Sequence, residues 1–258
     1  MKSIKLKTLI FCCLTLVLKI QGQSDKKLVL GEQPIFKVSR SNESMVIDGK
    51  MDEASWSRTE SRDFDYTYNV EKPSDKQKTT LRMLWDEKNL YLFYKLEDKY
   101  LTARETKRDG EPYYDDCAEI FITPVPDSLD THFAFEINLY KAVNDLVYFN
   151  NYYKNTNAAL KSYNPDFKVE VTYDGTINDN SDEDAGWTME MEIPISAFAT
   201  TTKFEPLQKG NKWAFLAIRQ ERNEVEGQRR ITSTIFPIYD IEKDVHQPNR
   251  FGLMEFVD

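Results

Sequence analysis

The chain has 258 residues, 43 acidic against 34 basic side chains and a net charge of −9, with 40% hydrophobic and 13% aromatic residues. That is enough apolar material for a substantial core, wrapped in a negative field that repels phosphate backbones and anionic headgroups. Nucleic acid is thereby excluded as an expected partner.

Residues 1–22 read as an export signal, because Lys2, Lys5 and Lys7 precede an apolar run from Leu9 to Leu18 and Gly22 follows. Lys19 and Gln21 end the run short of the ~20 apolar residues that cross a bilayer, so no membrane span is expected. Cys12 and Cys13 raise lipid attachment, but Leu9-Ile10-Phe11 before them lack the small residues of a lipoprotein signal. Cleavage after Gly22 removes 22 of 258 residues and four lysines, leaving 236 residues at a net charge of −13. The expectation is one large domain over 23–258, secreted or periplasmic. Only Cys117 then remains, so no intramolecular disulfide is available in an oxidising compartment.

From Ile35 onward apolar and polar residues mostly alternate, as in strands with one buried face. Residues 52–58 suit one or two helical turns. Strands over 81–85 and 90–96 flank the polar loop Asp86-Glu87-Lys88-Asn89, which predicts a hairpin. Further strands are expected over 118–123, 133–139, 146–149, 167–173, 187–193, 213–219, 230–236 and 251–256, with a short helix over 195–199 after Pro194. Phe133, Phe135, Ile137 and Leu139 form one apolar face, and Trp187, Met189, Met191 and Ile193 another. The stretch 178–186 reads as an exposed acidic loop. About ten strands without crossover helices predict an all-β fold, an antiparallel two-sheet β-sandwich of jelly-roll type with one or two short helices.

Five phrases in chain order resemble the family 9 carbohydrate-binding modules and their DOMON-like relatives. They are Val46-Ile47-Asp48-Gly49-Lys50-Met51-Asp52-Glu53-Ala54-Ser55-Trp56, the hairpin from Leu84 to Leu92 with Asp98 beyond it, and Pro112-Tyr113-Tyr114-Asp115-Asp116-Cys117-Ala118-Glu119-Ile120-Phe121. Trp187 to Pro194 and Pro248-Asn249-Arg250-Phe251-Gly252 complete the set. The resemblance implies a non-catalytic module that binds a saccharide or polysaccharide and serves carbohydrate catabolism beside a separate glycoside hydrolase. Trp56 is expected to pack the opening turn onto the sandwich.

A sugar site needs flat aromatic surface beside fixed donors and acceptors. The resemblance puts Tyr113 at the first aromatic of the family's clamp and Val245 or His246 at the second, with Glu136 where sugar-binding members carry a basic residue. Tyr113 and Tyr114 follow the turn Asp109-Gly110-Glu111-Pro112, which would hold them beside the end of the sandwich. Arg219, after the apolar run from Trp213, is expected either to contact the ligand or to neutralise Glu136. The expected carbohydrate-binding residues are therefore Tyr113, Tyr114, Glu136, Arg219 and His246, with Tyr239 as a further aromatic.

The resemblance also implies acids that support loops or hold calcium. Asp48, Asp52, Asp98 and Asp116 are candidates for a structural calcium site, with turn-capping as the alternative. No organic cofactor is expected. Competing readings are a haem domain using His132, His246 and the methionines, a glycoside hydrolase using Asp115, Asp116 and Glu119, and an adhesion domain. Gly-x-Ser-x-Gly, His-Glu-x-x-His and Gly-Lys-Ser phrases are absent from the sequence.

Overall fold

The computed structural model describes residues 33–68, 76–124, 131–149, 158–199, 207–223, 229–238 and 245–258. The expected export segment and Tyr239 lie outside them. The described residues form an all-β sandwich whose two sheets join along one edge into a curled 14-stranded sheet.

The first sheet contains β2 (Ser61–Asp63), β4 (Thr79–Trp85), β5 (Asn89–Glu97), β10 (Lys168–Asp174) and β11 (Gly186–Pro194). The second contains β3 (Tyr66–Tyr68), β6 (Cys117–Thr123), β7 (Thr131–Asn138), β8 (Val143–Phe149), β9 (Ala159–Leu160), β12 (Lys212–Asn223), β13 (Arg229–Thr234) and β14 (Gly252–Phe256). Their spatial order runs β10-β11-β5-β4, then β1 (Ile35–Arg40), then β14-β12-β6-β7-β8-β9. The expected hairpin is β4 and β5, in register from Thr79 opposite Leu96 to Trp85 opposite Leu90. Its loop closes through Asp86, whose side chain accepts the backbone N–H of Lys88 and Asn89.

One strand departs from the antiparallel expectation. β1 pairs in parallel with β14 over Ile35 to Val38 and in parallel with β4 at Ser39 and Arg40. It thus crosses from one sheet to the other. Its alternate residues Phe36 and Val38 are fully buried, which anchors the crossing in the core. The helices expected over 52–58 and 195–199 are short 3-10 turns, Ala54–Arg58 and Ile195–Phe198.

The core fills the space between the inward faces. Phe133 and Phe135 of β7 pack against Tyr163 and Phe198, while Met189, Met191 and Ile193 of β11 are fully buried opposite. Each such side chain contributes about 1.5–3 kcal/mol of burial.

Each sheet also has an outward face, and the first sheet's is covered by its own chain. Trp56, Leu84, Tyr91 and Phe93 form a second apolar cluster there with Met45 and Ile47 against it. Trp56 is fully buried, its ring 5.6 Å from that of Phe93. Glu190 of β11 clasps the opening turn by accepting the N–H groups of Asp48 and Gly49, both at 3.0 Å. Gly49 has φ 79°, and a Cβ there would come within 2.8 Å of Thr172 Cγ2, so the turn needs glycine twice over.

Candidate functional site

Among the described residues, the second sheet's outward face carries a cavity. Because alternate strand residues point to opposite sides, the pairing that sends Phe135, Ile120 and Ala217 inward sends Glu136, Glu119 and Gln220 outward. Asn144, Leu146 and Tyr148 of β8 extend the same surface. Val245 and His246 close over one side, Asp109 to Tyr113 form the rim, and the result is a cavity of about 670 Å³. The cavity therefore lies on a sheet face, not at the end of the sandwich as expected from the sequence.

Its floor is a polar net. Glu119 and Glu136 stand directly opposite each other across β6 and β7, and both are nearly fully buried. Asn144 donates to Glu136 at 2.6 Å, and Gln220 donates to Glu119 at 2.8 Å. The Gln220 carbonyl in turn accepts Arg222 and the Thr232 hydroxyl, each at 2.6 Å, which fixes its amide with the N–H groups toward Glu119.

Aromatic rings make the walls. His246 is 7% exposed, stacks on Phe121 at 4.5 Å and 14°, and approaches Tyr148 at 4.2 Å. Its Nδ1 lies 2.9 Å from Nε2 of His132, so one ring donates to the other. His132 is buried, stacked on Tyr148 at 12° and edge-on to Phe251. Burial first, and His246 second, hold its pKa well below the usual histidine range, so the ring stays neutral near pH 7.

Tyr113 and Tyr114 sit on the 3-10 turn Pro112–Tyr114, their ring centroids 4.7 Å apart. Tyr113 is half-buried and lines the cavity, its hydroxyl donating to Glu111 at 2.9 Å and its carbonyl accepting Arg222 at 3.1 Å. Burial, then the bond to Glu111, raises the phenol pKa and keeps it neutral. Tyr114 is 51% exposed on the outer side of the turn and does not line the cavity.

The structure thus brings Tyr113, Glu136 and His246 to one cavity, with Tyr114 beside it, and removes Arg219. Arg219 is fully buried on the inward face of β12, where it donates to Asp98 at 2.9 Å and to Thr79 at 2.8 Å. It neither reaches the cavity nor pairs with Glu136. Its neighbour Gln220 holds the outward position, one residue being enough to exchange faces. Glu119, Asn144, Tyr148, Gln220 and His132 join the site without having been expected there. His132 and Glu136 do share the parity opposite Phe133, Phe135 and Ile137, which is a signal the sequence carries.

The four aspartates expected to hold calcium do not form one site. Asp48 caps its own turn by accepting the Lys50 N–H, and Asp52 is exposed elsewhere. Asp98 is bound to Arg219 and to the Tyr100 N–H. Asp116 accepts the N–H groups of Thr102 and Arg222, both at 2.6 Å. Burial, then Asp98 beside it, raises the Asp116 pKa. Among the described residues no group of three or more His, Cys, Asp or Glu side chains is placed to hold a metal ion. Asp115 is likewise engaged, by the N–H groups of Arg104 and Glu105 and the Asn138 amide. The acidic segment before β6 is therefore a loop clasp.

Two comparisons with known proteins extend the picture, whereas no curated protein matches the chain. At 19% identity and a TM-score of 0.59, the fold is similar to a family 9 carbohydrate-binding module from Caldicellulosiruptor kristjanssonii solved with cellotriose, over 87% of this chain and 94% of that one. The same organism's module solved with glucose matches at 18% identity and 0.59, over 86% and 95%. A Bacteroides uniformis protein assigned a carbohydrate-binding role matches at 18% identity and 0.67, over 87% and 99%. The family described as carbohydrate family 9 binding domain-like matches residues 47–258, and the chain belongs to it.

Proposed function

We propose that the cavity on the outer face of the second sheet binds a saccharide without cleaving it. The observation that carries this is the pairing of aromatic walls from Tyr113, Tyr148 and His246 with a floor of fixed donors and acceptors from Glu119, Glu136, Asn144 and Gln220. The apolar C–H face of a sugar ring matches the walls, and its hydroxyls match the floor. Membership of a binding family and the cellotriose and glucose held by two structural neighbours support the same reading.

A hydrolase would need two carboxyl groups flanking the scissile bond from opposite sides. Glu119 and Glu136 instead lie side by side under the ligand position, each held by an amide. The export signal read at the N-terminus supports work outside the cytoplasm, and membership of a carbohydrate-binding family supports a separate glycoside hydrolase as companion. Haem is disfavoured, since His132 and His246 bond each other while Met83, Met189 and Met191 are buried in the core between the sheets.

Calorimetry with cellotriose and glucose tests the proposal. Affinity in the millimolar to high micromolar range is expected, about 4–6 kcal/mol. Tyr113→Ala should lose about 1–3 kcal/mol, the scale of stacking on one aromatic ring, with an unchanged melting curve. Full affinity in the folded variant would move the platform elsewhere, and no binding of either sugar or other glycans by the parent would overturn the function.

A further inference from the structure

His246 lines the cavity from outside the strands. It lies between Val245 and the 3-10 turn Pro248–Arg250, so no sheet pleat aims its ring, and the second torsion of a histidine side chain has a broad well. His132 is aimed by the sheet. It sits within β7 directly opposite Tyr148 of β8 and does not itself line the cavity. Its Nε2 lies 2.9 Å from Nδ1 of His246. We infer that His132 is a positioning residue for saccharide binding, which fixes the ring plane and the tautomer of His246 so that the cavity wall meets a sugar in one defined hydrogen-bonding state. The inference rests on the saccharide-binding function proposed above and assigns a role to a residue behind its wall.

The bond between the rings holds one hydrogen. In a neutral pair, if Nε2 of His132 carries it, Nδ1 of His246 accepts and His246 has its own hydrogen on Nε2; if Nδ1 of His246 carries it, both rings are protonated on Nδ1. One ring's tautomer therefore dictates the other's. The planes are also set. His132 stacks on Tyr148 at 4.8 Å and 12° and stands edge-on to Phe251 at 5.7 Å, while His246 stacks on Phe121 at 4.5 Å. Burial keeps His132 uncharged near neutral pH, which leaves one of its nitrogens able to accept. Stability alone does not call for two histidines here, because replacing both partners of a buried hydrogen bond by apolar groups of the same shape is nearly neutral or stabilising. Phenylalanines would suit a cage already built from Phe121, Tyr148 and Phe251. What the histidines add is polar orientation at the wall, and a wall ordered in advance spares the ligand the cost of ordering it.

The test is calorimetry of the folded full chain with cellotriose and glucose, beside nitrogen-15 spectra of the imidazoles at pH 8, above the ordinary histidine range. In the parent, His246 should occupy a single tautomer. His132→Phe keeps a stacked ring and removes both nitrogens. It should weaken sugar binding roughly threefold to tenfold, the scale of one ordinary hydrogen bond, and leave His246 a mixture of tautomers. His132→Gln, whose amide can take the place of Nε2, should recover most of the affinity, which a packing role would not predict. The double variant His132→Phe with His246→Phe should melt at or above the parent's temperature and bind sugar weakly. Full affinity in either folded phenylalanine variant overturns the inference and leaves saccharide binding intact, whereas no binding of either sugar by the parent overturns both. Should His132→Phe not fold, the parent's spectrum decides: a mixture of His246 tautomers overturns the inference, and a single one upholds it.

Discussion

The two outward faces of this sandwich receive opposite treatment. On the first sheet, the segment before and through the 3-10 turn Ala54–Arg58 lies across Leu84, Tyr91 and Phe93 and plugs the face with Trp56. On the second, no such plug is laid down among the described residues, and the rim and His246 enclose a cavity. The carboxylates mark the difference. Glu190 on the closed face is held by backbone N–H groups of the plug, whereas Glu136 and Glu119 on the open face are held by side-chain amides. The closed face ties its carboxylate to the backbone of its own plug, whereas the other presents side chains around a cavity.

The comparison breaks first at Trp56. Trp56→Ala should cost about 3–5 kcal/mol of stability, as for other buried aromatic truncations, measured by urea unfolding, and leave the affinity of the folded fraction for a bound saccharide unchanged. Lost affinity with intact stability would make the closed face the functional one.

A smaller effect is expected at Glu190, whose pKa is pushed up to about 7, chiefly by burial. A carboxyl with a raised folded pKa holds its proton in the native chain after the unfolded chain has released it. The contribution to stability is therefore complete below the unfolded value of 4.5 and is lost as pH rises toward 7, at no more than about 1.4 kcal/mol per pH unit for one proton. Glu190→Gln should flatten that part of a stability-versus-pH curve. A slope identical to the parent's would remove Glu190 from the account. The smallest effect concerns calcium. With Asp48, Asp98 and Asp116 already engaged and no group of three such side chains placed to hold a metal among the described residues, a chelator is expected to leave the melting temperature unmoved, and a drop of several degrees would restore the metal reading.

Much of the fold was legible because its signals are local. The alternation on both sides of Asp86-Glu87-Lys88-Asn89 carries the hairpin, and Ile47-Asp48-Gly49 carries a turn that only glycine completes. The candidate site was legible in part. Tyr113, His246 and Glu136 follow from their places in the family's pattern, and the parity of β7 agrees for Glu136. Arg219 was misplaced for a physical reason: residues 213–218 are buried on both faces of β12, so no polar alternation sets the phase of the residues that follow. The strand also continues to Asn223 instead of ending at Arg219. The parallel crossing of β1 is fixed by partners more than 200 positions away, beyond any local pattern.

That crossing sets the order in which the molecule is completed. β1 pairs with β14, near the other end of the chain, and Trp85 of the early hairpin donates to the carbonyl of Val257. A nascent chain can form the β4–β5 hairpin early, yet the seam between the sheets waits until β14 has been synthesised. Contacts so distant in sequence close late and slowly. Until then both β1 and β12 expose edges able to pair with other chains, so the interval before closure is when this protein is most prone to misassembly.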